Sequence, residues 1–176
     1  PFSMSYDLSQ GWYAGMKIEA EELGYEIVVR DPNWNTDVGV QAMEQLINSK
    51  PDIIVLQNPD LQSYAKLLKR GTEAGINFIS VNIASAYPTY YIGEVWQLNG
   101  VKEAEYIVEK CGEGTGRSGK VAIIQGILTS AASATQIRGV TEVLSKHPEI
   151  QVVSNQSANW DAGKANEITK TVLQQH

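Results

Sequence analysis

Two hydrophobic periods alternate along this chain. Short runs without polar alternation, YEIVVR (Tyr25–Arg30), DIIVL (Asp52–Leu56), NFISV (Asn77–Val81), KVAIIQ (Lys120–Gln125) and IQVVS (Ile150–Ser154), read as strands covered on both faces. Phe2–Tyr6 (FSMSY) alternates apolar and polar residues and reads as the end of a further strand. Between these runs apolar residues recur at helical spacing. Trp12, Met16, Ala20 and Leu23 share one face of a helix capped by Ser9 and stopped by Gly24. Further helices are expected from Thr36 as cap to Ser49, over Leu61–Ala74, from Gly100 to Lys110 with Asn99 as cap, from about Ala132 to Lys146, and over Gly163–Gln175. Parallel strands need crossovers of a dozen or more residues, and each helix is about that long. The expected class is α/β, with doubly wound parallel sheets.

Ile79–Gly100 (ISVNIASAYPTYYIGEVWQLNG) interrupts the alternation, passing from a buried strand through a loop of small, polar and aromatic residues to a helix start. It reads as the seam between two similar lobes, 1–93 and 94–176. An internal repeat supports the division. YEIVVRDPNWNTDVGVQAMEQLI in the first half and IQVVSNQSANWDAGKANEITKTVL in the second both run strand, Asn-Trp-Asn/Asp, helix. The first copy is followed by a strand, DIIVL, whereas the second reaches His176. The repeat therefore implies a segment of a longer protein, lacking the start of its first strand and part of its second lobe.

Composition removes several function classes. Hydrophobic content of 43% supports a packed core, and a formal net charge of −6 without clustered Lys or Arg argues against nucleic acid as a partner. One cysteine, Cys111, allows no disulfide within the chain, and with two histidines it builds no zinc site. No apolar run approaches the ~20 residues of a membrane span. Enzyme signatures are missing: there is no G-x-S-x-G elbow, and Gly112–Gly116 precedes a strand instead of joining a strand to a helix, so it reads as a turn. His147 stands before a proline, and His176 is terminal. Binding is favoured over catalysis, with no cofactor or metal expected.

In open parallel sheets, ligands bind beyond the carboxyl ends of the strands. The loops at those ends carry Tyr6, Gln10, Trp12, Asn33, Trp34, Asn58, Asp60, Asn82, Gln125, Asn159 and Trp160. Amides, hydroxyls and aromatic faces suit a polyhydroxylated ligand, whose hydroxyls need donors and acceptors while its C–H face packs on a ring.

The segments GMKIEAEELGYEIVVRD, DIIVLQNPD, AGINFISVN, IGEVWQLNG, CGEGTGRSGKVAIIQG, IRGV and SANWDAGKA, in this order, resemble the periplasmic sugar-binding proteins of ribose-binding type. That family shares its type I periplasmic-binding-protein fold with effector domains of lactose-repressor-type regulators. The resemblance implies two Rossmann-like domains joined by a hinge, with ligand captured in the interdomain cleft by hinge closure. It also implies the substrate-binding role in an ABC-type sugar or polyol importer, a membrane permease as partner, a monomer, and a periplasmic or lipid-anchored extracellular location. The alternative it leaves is the effector domain of a transcription regulator. Ligand contacts implied by position are Tyr6, Ser9, Gln10, Asn82, Ile127, Arg138 and Trp160; Trp12, on the first helix turn, is a further candidate from its residue type. The chain has no counterpart to the family's Asn-Pro-Phe-Phe in the first loop, and Asn82-Ile83 stands where an Asp-Arg pair is usual. Val81-Asn82-Ile83 is expected to face the ligand, and Ile92-Gly93-Glu94 to form the first crossing between domains.

Overall fold

A computed structural model describes residues 2–176, and the chain divides into two compact units at the Gly93–Glu94 boundary. The first unit comprises α1 (Asp7–Leu23), α2 (Thr36–Ser49), β1 (Ile53–Leu56), α3 (Ala65–Glu73), β2 (Asn77–Val81) and β3 (Tyr90–Ile92). The second comprises α4 (Trp96–Cys111), β4 (Lys120–Gln125), α5 (Ala131–Leu144), β5 (Gln151–Ser157) and α6 (Ala162–Gln175). All strand pairs are parallel, in the order β1-β2-β3 in one sheet and β4-β5 in the other. The expected α/β class with parallel sheets is what the chain adopts. Among the described residues, no helix is long and apolar enough to cross a membrane.

The core of the first unit forms where one face of α2 and one face of α3 meet one face of β1-β2. Met43 and Ile47 from α2, Leu67 and Leu68 from α3, Ile54 and Leu56 from β1, and Phe78 from β2 are all buried together. Leu68 has no solvent exposure, and full burial of such a side chain contributes about 1.5–3 kcal/mol. In the second unit α4 and α5 pack backbone to backbone. A Cβ on Gly100 would lie 2.0 Å from the Gln136 carbonyl oxygen, and one on Gly139 would lie 2.1 Å from that of Gln97, so only glycine permits the crossing at either point. Ala104, Val140, Leu144 and Ile150 fill the space this approach creates.

Two expected strands are not strands. Phe2–Tyr6 forms a turn, closed by Tyr6 N–H donating to the Ser3 carbonyl at 3.3 Å. Tyr25–Arg30 follows the Gly24 cap without helix or strand, and its residues 26–30 form no backbone–backbone hydrogen bond among the described residues. High β propensity makes a strand only where a second edge supplies partners, and β1 pairs with β2 alone. For the same reason β1 is not covered on both faces: Ile54 and Leu56 are buried, while Ile53 and Val55 are 45% and 37% exposed. A third strand was not anticipated. β3 arises inside the seam, where Tyr90-Tyr91-Ile92 pairs with Ile79-Ser80-Val81.

Three helix caps shift. α1 starts at Asp7 with Tyr6 as N-cap, so Ser9 lies inside the first turn. Asn35, and not Thr36, caps α2, its side chain accepting from Val38 N–H. α4 begins at Trp96 after Val95, ahead of Asn99, whose amide bonds the Glu94 carboxylate instead. α3 is shorter than expected because Asp60 organises the chain before it as a turn, its carboxylate accepting from the Gln62 and Ser63 amides at 2.7 Å each.

Candidate functional site

In the first unit the carboxyl ends of β1 and β2 are fixed by one buried amide. Asn58, fully buried, donates from Nδ2 to the Ser80 hydroxyl at 3.1 Å and to the Ile83 carbonyl at 2.8 Å. Thr89 donates to the same Ser80 hydroxyl at 2.8 Å, tying the seam to the sheet. Asn82 then turns the chain with φ of 63°, in the left-handed region that asparagine tolerates better than most residues. Its N–H donates to the Ile92 carbonyl and its own carbonyl accepts from the Tyr91 hydroxyl, both at 2.8 Å. That turn sends Ile83 inward to 1% exposure, so of Val81-Asn82-Ile83 the isoleucine is core and does not face a ligand.

Beside this edge stands an aromatic group. Trp34 stacks on Phe2 with ring centroids 5.7 Å apart, and Tyr6 tilts against it at 5.5 Å. Burial, aided by the neighbouring Asp7 charge, pushes the Tyr6 hydroxyl pKa upward, so the phenol stays a neutral donor. Gln10 spends its amide on the Met4 carbonyl at 2.9 Å, bracing the turn that carries Tyr6. Ser9 and Trp12 lie elsewhere: both line a groove beneath α1, with Ser9 buried and its hydroxyl without a hydrogen-bond partner among the described residues.

Near this edge, buried Tyr64 and half-buried Asp60 show opposed electrostatics. Burial raises the Tyr64 hydroxyl to about 12, and the Asp60 charge adds to the shift. Burial also acts to raise Asp60, but hydrogen bonds from the Ser63 hydroxyl and the Ser63 and Gln62 amides outweigh it and hold the carboxyl below its usual range.

In the second unit the site is built around Gly126, at the end of β4. A Cβ there would lie 2.1 Å from the Trp160 ring, so the indole lies flat on the glycine backbone. Trp160 itself remains 41% exposed. Asn159 and Trp160 both have positive φ, 55° and 64°, and Asp161 caps α6 by accepting from Lys164 N–H at 2.8 Å. The Ser157 hydroxyl lies 2.5 Å from the Gly126 carbonyl and 2.7 Å from Asn159 Oδ1, and Gln125 donates to Asn155 Oδ1 at 2.6 Å. Ile127, half-buried, follows Gly126 directly, and its carbonyl begins the turn into α5 by accepting from Ser130 N–H. Arg138 is exposed two turns into α5, and it makes no ion pair among the described residues.

The structure thus brings Tyr6 to Trp34 in one unit and Ile127 to the Gly126–Trp160 platform in the other. Sequence reasoning placed Trp34 among the strand-end loop residues but weighted it towards packing, and it is as open as Trp160, at 44% exposure. The shared Asn-Trp pair was the signal that equates them. Tyr91 was missed because its strand was missed. Chemically, each surface offers an aromatic face ringed by amides and hydroxyls. Among the described residues no group of three His, Cys, Asp or Glu could hold a metal ion.

Comparison with known proteins identifies the family and the fold. The family model described as a periplasmic binding protein domain matches residues 3–176. The xylitol-binding protein of Mycolicibacterium smegmatis is 26% identical over 164 residues, covering 93% of this chain and 46% of that one. The ribose import binding protein of Escherichia coli is 25% identical over 164 residues, covering 92% and 54%. The chain spans about half the length of these curated relatives. Among solved structures, the Caulobacter myo-inositol binding protein bound to myo-inositol superposes with a TM-score of 0.87 at 20% identity, over 98% of this chain and 58% of that one; this likeness is one of fold.

Proposed function

The chain belongs to the periplasmic binding protein domain family, and we propose that it serves as the substrate-binding part of an ABC-type importer for a sugar or polyol. The observation that carries this reading is the Trp160 platform. An indole laid on a glycine backbone keeps one face open, and that face suits the C–H surface of a sugar or cyclitol ring. Amide and hydroxyl groups from Asn155, Ser157 and Asn159 stand along the same strand end to meet ring hydroxyls. The names of the relatives, binders of xylitol and ribose, point to the same ligand class.

In this reading Trp160, Ile127 and Arg138 contribute from the second unit, and Tyr6 and Asn82 from the first. Asn82 offers an amide where a carboxylate would bind a hydroxyl pair more strongly, which favours a ligand with fewer vicinal hydroxyls at that point. Ser9 and Trp12 serve the groove under α1, and Gln10 braces the Tyr6 turn. The protein works as a monomer in the periplasm and hands its ligand to a membrane permease. Calorimetric titration of xylitol, ribose and myo-inositol into the full-length protein tests the proposal. Saturable binding of at least one is the expected result. Failure of all three and of related polyols, with binding to operator DNA instead, overturns it.

A further inference from the structure

Asn58 lies just past the end of β1, among the residues that the sequence nominates for ligand contact, yet it has no solvent exposure. A side chain without exposure cannot meet a ligand directly. We propose, resting on the reading of Asn82 as a ligand contact, that Asn58 is a positioning residue. It holds the turn at Val81-Asn82-Ile83 in the conformation that presents the Asn82 amide to a sugar or polyol.

That turn is strained. Ile83 N–H donates to the Val81 carbonyl at 2.7 Å, closing a γ-turn centred on Asn82, whose φ is 63°. Positive φ at the centre marks the rare, strained kind of γ-turn, and such a conformation persists only where its surroundings hold it. Hydrogen bonds from two sides do so here. From β3, the Ile92 carbonyl accepts from Asn82 N–H and the Tyr91 hydroxyl donates to the Asn82 carbonyl, both at 2.8 Å. From the interior, Asn58 Nδ2 donates to the Ile83 carbonyl at 2.8 Å and so grips the exit of the turn.

The other Nδ2 proton goes to the Ser80 hydroxyl at 3.1 Å, which also accepts from Thr89 at 2.8 Å. This fixes the amide in rotation, since exchanging its oxygen and nitrogen would set Oδ1 against the Ile83 carbonyl. Two donors on one planar group are what the position uses: serine offers one, and an ionised aspartate none. Asn58 Oδ1, by contrast, has no hydrogen-bond partner among the described residues. A buried acceptor left unmet carries its full desolvation penalty, so the residue is not the choice that stability alone would make. Local rules broken in this way are expected where a site is being held.

The test uses the full-length protein, with xylitol, ribose and myo-inositol as titrants. Asn58→Leu removes both donors at similar volume, and Asn82→Gly removes the amide while leaving a residue at ease with positive φ. NMR-detected amide exchange reports the turn, and calorimetry reports affinity. Asn58→Leu is expected to speed exchange of the Asn82 and Ile83 amides about tenfold or more without ligand, leaving Phe78 and β4 unchanged. It is expected to lower affinity about tenfold in the native background and less than about twofold in the Asn82→Gly background. General destabilisation would act alike in both backgrounds. Ser80→Ala, a smaller buried change that loosens the same amide, should show the same pattern at about threefold and serves where Asn58→Leu does not fold. Unmoved amides in the folded variants, or equal losses in both backgrounds, overturn the proposal. Affinity that falls with Asn82→Gly but not with the Asn58 and Ser80 variants overturns it and leaves the proposed function in place. Unchanged affinity in Asn82→Gly, or no polyol binding by the native protein, removes the Asn82 contact itself and this inference with it.

Discussion

Asn33-Trp34 and Asn159-Trp160 have almost the same backbone and different surroundings. In the first pair φ is 46° and 67°, and in the second 55° and 64°. Each pair is followed by an N-cap, Asn35 or Asp161, that accepts from the amide three residues on, at 3.0 and 2.8 Å. Each cap in turn donates its own N–H to a carbonyl three residues back, that of Pro32 at 3.0 Å or Ala158 at 2.9 Å. Beneath the indoles the likeness ends. Trp34 rests on Phe2 and Tyr6, whereas Trp160 rests on bare backbone at Gly126. A local sequence reproduced a local conformation, but what each ring packs on was set by a segment far away in the chain. Two successive non-glycine residues in the left-handed region cost about 1–2 kcal/mol each, and strain of this kind is kept at functional loops when the surrounding structure holds it.

The contrast can be broken most directly at Gly126. Gly126→Val places carbon where the Trp160 ring lies, so the ring must leave; a stability loss of about 1–3 kcal/mol is expected, with a shift in tryptophan emission. Polyol affinity of the full-length protein should fall by more than about tenfold, or 1.4 kcal/mol. Unchanged affinity after the ring has moved would remove Trp160 from the site. The two indoles should then separate by readout. Trp34→Ala loses two ring contacts worth about 0.5–1.5 kcal/mol each and should lower the melting temperature more than the affinity, while Trp160→Ala should do the reverse. Equal behaviour would mean that both rings serve the ligand.

Smaller effects test whether the backbone is truly shared. Asn33→Ala and Asn159→Ala should each destabilise by about 1 kcal/mol, and the corresponding glycine variants by much less, since glycine has no left-handed penalty. Chemical denaturation measures both, and a difference between the two loops would mean that the repeat is only in sequence. Asn35→Ala and Asp161→Ala should cost about 1 kcal/mol each as lost caps, read from helicity and midpoint together.

The smallest expected effect separates the units by pH. Asp60 in the first unit stands three residues ahead of Ser63, as the neutral Ser130 in the second stands ahead of Ser133. Because the folded Asp60 pKa is depressed, its contribution is present above the unfolded carboxyl value of about 3.9 and is lost as pH falls through the folded value. The first unit should therefore lose protection at acid pH before the second by this route, and Asp60→Asn should flatten that dependence in a carboxyl-resolved NMR titration.

Most of the architecture could be read from the chain, and the errors have a common cause. The helices and the strands β1, β2, β4 and β5 were visible because 3.6-residue periodicity and continuous apolar runs are local properties. The α/β class and the Asn-Trp repeat followed from their order. Caps were misplaced by one to four residues, because Tyr6 and Val95 cap their helices without a side-chain hydrogen bond and only tertiary geometry places those starts. At the site, Tyr6 and Trp160 were nominated by residue type and by the family resemblance; Tyr6 caps α1, and Trp160 lies in the turn between β5 and α6. Ser9 and Trp12 were nominated with them, but they face the groove, since the start of α1 is set by Tyr6.

By itself, the sequence determined which segments are helical, that Asn33-Trp34 and Asn159-Trp160 occupy matching loops ahead of a helix, and that two similar units follow one another. These features rest on side-chain sterics and hydrogen bonds within a few residues. Only the tertiary structure decided that Tyr25–Arg30 runs unpaired, that Tyr90–Ile92 becomes a strand, that Ile83 turns inward behind Asn82, and that one indole lies on rings and the other on glycine. Each of those outcomes depends on a partner distant in sequence, and strand pairing or ring packing has no energy until that partner arrives.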